Sequence, residues 1–220
     1  KKLPETAFYQ NLPILLGTIR GGHTSAQNWI NAAVLDFLEV EYNISDVYLT
    51  VRPKKKTARK ALEPLDLRSI LTNTYPFFGY ITNHPGHVVN LKNRELFIFL
   101  RSPKKTYQSI TVLAKYLYGY NDLKSINFST KYLTTWSQTL EKMIKKKDKY
   151  NNNFYFLKSE NIFKDPSKHI TKIIHHAGLH IPTSQVALSI KNYDEKIYKF
   201  RKQIDKINPR RSYKKYYTNI

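Results

Sequence analysis

The segment from Leu12 to Leu38 restricts this chain more than any other, because its hydrophobic pattern changes period across a glycine-bearing turn. Ile14, Leu15 and Leu16 form an apolar run, and beyond the turn Trp29, Ile30, Ala33, Val34, Phe37 and Leu38 recur at helical spacing. The pattern predicts a strand, a tight loop and a helix reaching about residue 40. Gly17, Gly21 and Gly22, three of the chain's seven glycines, lie in or beside the loop. Without Cβ atoms, such a loop lets backbone N–H groups approach an anion at a helix N-terminus, so a phosphate-type ligand is the expected guest.

The loop has the spacing of a nucleotide-triphosphate P-loop, with Gly17, Gly22 and Thr24 in place and His23 where the motif has lysine. In that motif the lysine meets the β/γ-phosphate charge, and an acidic strand end helps to hold magnesium. Here the clearest buried strand, the continuously apolar run 96–100, ends in Arg101. A cationic strand tip suits an anion held without a metal, which argues against an ATPase or GTPase. Pro103 is placed for the first turn of the next helix, so Arg101 at the strand tip and Ser109 about two turns in are positioned to converge on one anionic group.

The remaining segments read as an open α/β sheet. Strands are expected at 47–51, 77–82 and 154–157, with helices at about 65–73, after Pro103, from Ser129 or Thr130 to about Lys145, and from Asp165-Pro166 to Gly178. The 77–82 strand empties into Asn83-His-Pro-Gly-His87, which puts imidazole at a strand end, where open α/β sheets build their sites. His169, His175, His176 and His180 read as solvated histidines, since no acidic partner recurs with them in sequence.

At 220 residues one domain is expected, with a core over 12–180 and a basic, tyrosine-rich segment at 190–220 that suits equally a lid over an anionic cofactor or a stacking surface for single-stranded nucleic acid. Thirty-seven Lys and Arg against sixteen Asp and Glu leave a net charge of +21, which attracts polyanions, anionic nucleotides or acidic glycans and says little about fold. The chain has no cysteine, so disulfide-stapled folds and zinc–thiolate sites are excluded. No run is apolar enough to span a bilayer, and Lys1-Lys-Leu-Pro4 carries no signal pattern. The expectation is a cytoplasmic protein, the alternative being the lumenal catalytic domain of a longer, anchored chain.

Three patches in this order resemble the PAPS-dependent sulfotransferases, which move a sulfuryl group from 3′-phosphoadenosine 5′-phosphosulfate to an acceptor. Ile19-Arg-Gly-Gly-His-Thr-Ser25 is similar to the family's 5′-phosphosulfate loop, with Arg20, Gly22 and Thr24 matching and His23 standing where a hydroxyl residue is commoner. The segment from Phe97 through Arg101 and Pro103 to Ser109 is similar to the 3′-phosphate segment, with Ser102 where aspartate or asparagine is frequent. The stretch from Phe156 through Glu160 and Pro166 to Leu179 resembles the family's strand, acidic turn and final core helix. Arg210 and Arg211 sit in a basic–aromatic segment similar to one that closes over the nucleotide, without its glycines.

The resemblance implies a three-layer α/β/α fold with a central, mostly parallel sheet of P-loop NTPase-like architecture. It implies PAPS as cofactor and PAP as product, held by Arg20, Gly21, Gly22, His23, Thr24, Ser25, Arg101, Ser109, Arg210 and Arg211. His84 occupies the place where several members carry a catalytic base, with His87 or a carboxylate as competitors, and Arg20 assists the departing phosphate. The acceptor would be a hydroxyl or amine of a small molecule or glycan, and a metal is not required. Two other classes stand beside this one. A P-loop kinase would show magnesium-dependent ATP turnover, and a basic nucleic-acid-binding module would show binding that collapses with salt. The recognition elements of the latter are not evident in the sequence. Oligomeric state is left open.

Overall fold

The computed structural model describes residues 13–39, 41 and 80–207. The strand expected at 47–51, the basic run at 54–60, the helix at 65–73, and Arg210 and Arg211 lie outside the described residues.

Among the described residues the sheet has four strands, β1 (Ile14–Gly17), β2 (Tyr80–Thr82), β3 (Glu95–Leu100) and β4 (Asn153–Lys158). They run in the order β2-β1-β3-β4, and every pairing is parallel. Leu15 stands between Ile81 and Phe97 in register, and Ile98 faces Phe156. The chain leaves β1 towards β2 and leaves β3 towards β4, in opposite directions. The order therefore reverses between β1 and β3, and at such a switch point a crevice opens beyond the carboxyl ends of the strands.

Six α-helices cover this sheet among the described residues: α1 (His23–Phe37), α2 (Pro103–Tyr118), α3 (Asp122–Lys145), α4 (Ser159–Lys164), α5 (Pro166–His176) and α6 (Thr183–Ile207). Strand side chains alternate between two cores, as the pleat requires. Leu15, Phe97 and Phe99 pack with α1, α5 and α6 on one face. Ile14, Leu16, Leu96 and Ile98 pack with Val88 and with Trp136 and Met143 of α3 on the other. The protein is thus a three-layer α/β/α structure with a parallel central sheet.

Two elements differ from the sequence expectation. Helix α3 begins at Asp122, because Asn121 caps it by accepting the Lys124 N–H at 2.9 Å. Its first turns invert the usual pattern, with Leu123 69% exposed while Ser125 and Ser129 are buried. The serines face α2, where Thr111 donates to Ser129 Oγ at 2.9 Å, so small polar residues let the two helices approach. Residues 190–207 belong to α6, whose Val186, Ile190, Tyr193 and Ile197 are buried in the core. The core thus extends past residue 180, and the part of the expected lid that lies within 190–200 is a packed helix. Trp29 of α1 donates its indole N–H to Asp194 of α6 at 2.9 Å, which ties these helices together.

Asp165 caps α5 by accepting the Lys168 N–H at 3.3 Å, and Gly178, with φ of 82°, turns the chain out of it. His176 meets an acidic partner that the sequence pattern did not show, Glu95 Oε2 at 3.3 Å. No helix among the described residues is long and apolar enough to cross a membrane.

Candidate functional site

The loop between β1 and α1 is held by its own backbone and by three distant side chains. Gly21 N–H donates to the Thr18 carbonyl at 2.7 Å, closing a turn. Tyr132 Oη accepts the Ile19 N–H at 2.9 Å, Arg101 Nη1 donates to the Arg20 carbonyl at 3.0 Å, and buried Ser159 Oγ donates to the Gly21 carbonyl. These anchors come from α3, from the tip of β3 and from the start of α4. Because they fix the loop peptide by peptide, its conformation is set before any ligand arrives.

Within that frame Arg20 and Gly22 adopt left-handed backbone, with φ of 67° and 93°. Left-handed residues in a turn direct successive N–H groups into one concavity, the anion-binding nest. Gly22 also caps α1 without any side-chain hydrogen bond. Helix geometry leaves the N–H groups of His23, Thr24 and Ser25 without intrahelical acceptors. Gly21, in contrast, spends its N–H inside the loop, so the cradle begins at Gly22.

His23 fills a position unlike that of a P-loop lysine. It is 1% exposed, its ring lies 6.2 Å from that of Phe99, and a Cβ on Gly17 would stand 2.4 Å from its Nδ1. Burial pulls its pKa from 6.5 down to about 4, and the nearby Asn83 side chain offsets this only in part. The imidazole is therefore neutral at pH 7 and carries no charge to an anion. Basic residues are brought to this loop instead by Arg20, which is exposed, and by Arg101.

Arg101 emerges from β3 beside β1, and its bond to the Arg20 carbonyl ties its guanidinium to the loop that carries Arg20. Glu160 accepts the Ser102 N–H at 3.2 Å. Its carboxyl is held below the usual range by its own N–H and that of Ser102, with help from Lys105 and Arg101. Ser109 is buried two turns into α2, 4% exposed, and no hydrogen bond joins it to Arg101 among the described residues. The hydroxyls of Thr18 and Thr106 are buried without hydrogen-bond partners among the described residues. Buried hydroxyls seldom stay unsatisfied. Thr18 lies in the loop itself, and its hydroxyl with the uncapped N-terminus of α1 is the kind of donor set an oxyanion needs, so the residues present fit a phosphorylated ligand.

His84 stands at the tip of β2, next to β1, exposed, with its N–H on Thr82 Oγ1 at 3.1 Å and its ring edge-on to Tyr132 at 6.0 Å. His87 lies in a single 3₁₀ turn, Pro85–His87. Among the described residues no group of three or more His, Asp or Glu is arranged to hold a metal. Neither Tyr132 nor Ser159 is among the residues that the sequence assigns to this site. Their partners lie 113 and 138 residues away, and no local pattern announces bonds of that range.

Neither a family model nor a curated protein matches the sequence. Among solved structures, the arrangement is similar to a crystal structure of retinol dehydratase in complex with androsterone and inactive cofactor PAP, with a TM-score of 0.51 and 16% identity over 82% of this chain and 63% of that one. A crystal structure of retinol dehydratase with retinol and PAP gives a TM-score of 0.49 and 16% identity over 81% and 63% of the two chains. The chain thus spans less than two thirds of the length of these structures, and at such identity the likeness is one of fold.

Proposed function

We propose that this chain transfers a sulfuryl group from PAPS to a hydroxyl or amine of a small-molecule or glycan acceptor. The observation that carries the reading is the bond from Arg101, at the tip of β3, to the Arg20 carbonyl, which sets a basic side chain against the glycine loop at the switch point of the sheet. The likeness of fold to a protein crystallised with PAP supports the same cofactor class.

In this reading the N–H groups from Gly22 to Ser25 and the Arg20 guanidinium receive the 5′-phosphosulfate end, and Arg101 with Ser109 receives the 3′-phosphate. PAPS supplies an activated sulfuryl group. His84 takes the proton from the acceptor as its oxygen or nitrogen bonds to sulfur. Arg20 and the cradle stabilise the electron pair that departs with the phosphate oxygen, and fixed donors at a developing charge are the strongest lever available to such a site. Arg210 and Arg211 complete the nucleotide contacts, and the charge of +21 favours anionic acceptors.

A P-loop kinase is the weaker reading because the residue in the lysine position, His23, is buried and neutral. The test is thermal stabilisation by PAP against ATP with magnesium. A shift with PAP that ATP and magnesium do not match supports sulfuryl transfer, and the reverse order transfers the assignment to a kinase.

A further inference from the structure

The Tyr132 hydroxyl is bonded on both sides by loops that belong to different functions in the proposed reaction. It accepts the Ile19 N–H of the nucleotide loop at 2.9 Å and donates to the Asn83 carbonyl, beside His84, at 2.9 Å. A backbone N–H only donates and a carbonyl only accepts, so the direction of both bonds is fixed. Burial pushes the phenol pKa up to about 12, the Ile19 bond offsetting part of that rise, so the donated proton stays on the oxygen throughout the working pH range. The ring is held by Phe128, stacked at 6.4 Å, and presents its edge region to His84 at 6.0 Å.

The peptide unit that precedes His84 is thereby held at both of its polar groups. Its carbonyl, that of Asn83, is held by Tyr132, and its N–H, that of His84, is held by Thr82 Oγ1. Parallel pairing of β1 with β2 brings the two loops off the sheet side by side, and α3 spans both from the Ile14–Leu16 face. A phenylalanine would satisfy the packing of that face. The hydroxyl adds only the connection between the loops, and a buried hydroxyl is costly unless both of its bonds are made.

We infer that Tyr132 is a positioning residue that locks the His84 loop to the nucleotide loop, so that a nucleotide seated on Gly22–Ser25 finds the base at a set place. The inference rests on the proposed role of His84. Tyr132→Phe keeps the ring and removes both bonds, and two measurements test it. In hydrogen exchange of the ligand-free protein, the Ile19 amide and the 83–88 segment should both exchange about tenfold faster, while α3 is unchanged. In turnover, Tyr132→Phe should lower kcat by about 10–100-fold with PAP affinity retained, and should cause no further loss in a His84→Ala background.

Unchanged exchange at Ile19 or at 83–88 overturns the coupling. So does full turnover of Tyr132→Phe alongside an inactive His84→Ala, or losses that multiply in the double variant. Full turnover of His84→Ala instead overturns the base assignment, and with it the positioning role of Tyr132.

Discussion

Replacing Gly17 by alanine adds one methyl group where β1 runs into the glycine loop, and that methyl meets the His23 ring at 2.4 Å from Nδ1 and 2.9 Å from Cγ. The backbone does not resist the change, because Gly17 is not among the residues with positive φ. The whole cost therefore comes from the contact. His23 is 1% exposed with Phe99 nearby, so the ring has no open volume to enter. Overpacking of this kind costs about 1–3 kcal/mol. The gain from a stiffer unfolded chain offsets about 0.4–1 kcal/mol of it, leaving about 0–2.6 kcal/mol.

Urea denaturation of the parent, Gly17→Ala, His23→Ala and the double variant measures the pair as a cycle. Without the ring, Gly17→Ala should be neutral or slightly stabilising, so the coupling should equal the contact cost of about 1–3 kcal/mol. An equal effect of Gly17→Ala in both backgrounds would refute the reasoning that this glycine exists to admit the imidazole.

Two further outcomes follow from the same structure. Because the folded-state pKa of His23 lies near 4 and the unfolded value is 6.5, the unfolded chain binds a proton that the folded chain refuses between those values. Stability is therefore unaffected above about pH 6.5 and falls as pH drops towards 4, by about 3 kcal/mol in all, and His23→Gln should remove that component from the pH profile of unfolding. Asp194→Ala leaves the Trp29 indole N–H, on a side chain 7% exposed, without its acceptor and should cost about 1–3 kcal/mol, whereas Asp194→Asn, which keeps an acceptor oxygen, should lose much less in thermal unfolding.

The elements that sequence reasoning located share a physical trait: their signals are local. The apolar run at 96–99 is buried on both faces of the sheet and therefore lacks alternation. Asp165, Pro166 and Gly178 mark the ends of α5 through capping and backbone preference alone. The approach of Arg101 to the glycine loop was legible because the carboxyl ends of neighbouring parallel strands lie side by side whatever the chain does between them. The start of α3 was not, since its interhelix contact is made by Ser125 and Ser129 while Leu123 and Ile126 face outward, out of phase with any hydrophobic count. Helix α6 carries its apolar spacing beneath a heavy lysine and tyrosine content, which drew the reading towards a basic tail. The bonds of Tyr132 to Ile19, of Ser159 to Gly21 and of Trp29 to Asp194, each spanning more than a hundred residues, depend wholly on the tertiary fold.

The central claim is that Arg101 and the loop around Arg20 grip opposite ends of one doubly phosphorylated adenosine. Calorimetric titration of the parent and of Arg101→Ala with PAP and with adenosine 5′-monophosphate tests it most directly. The substitution should weaken PAP by about 1.5–3 kcal/mol, the value of a hydrogen bond to a charged group, and leave the monophosphate nearly unaffected. Equal losses for the two nucleotides, or a parent protein that binds neither, would contradict it.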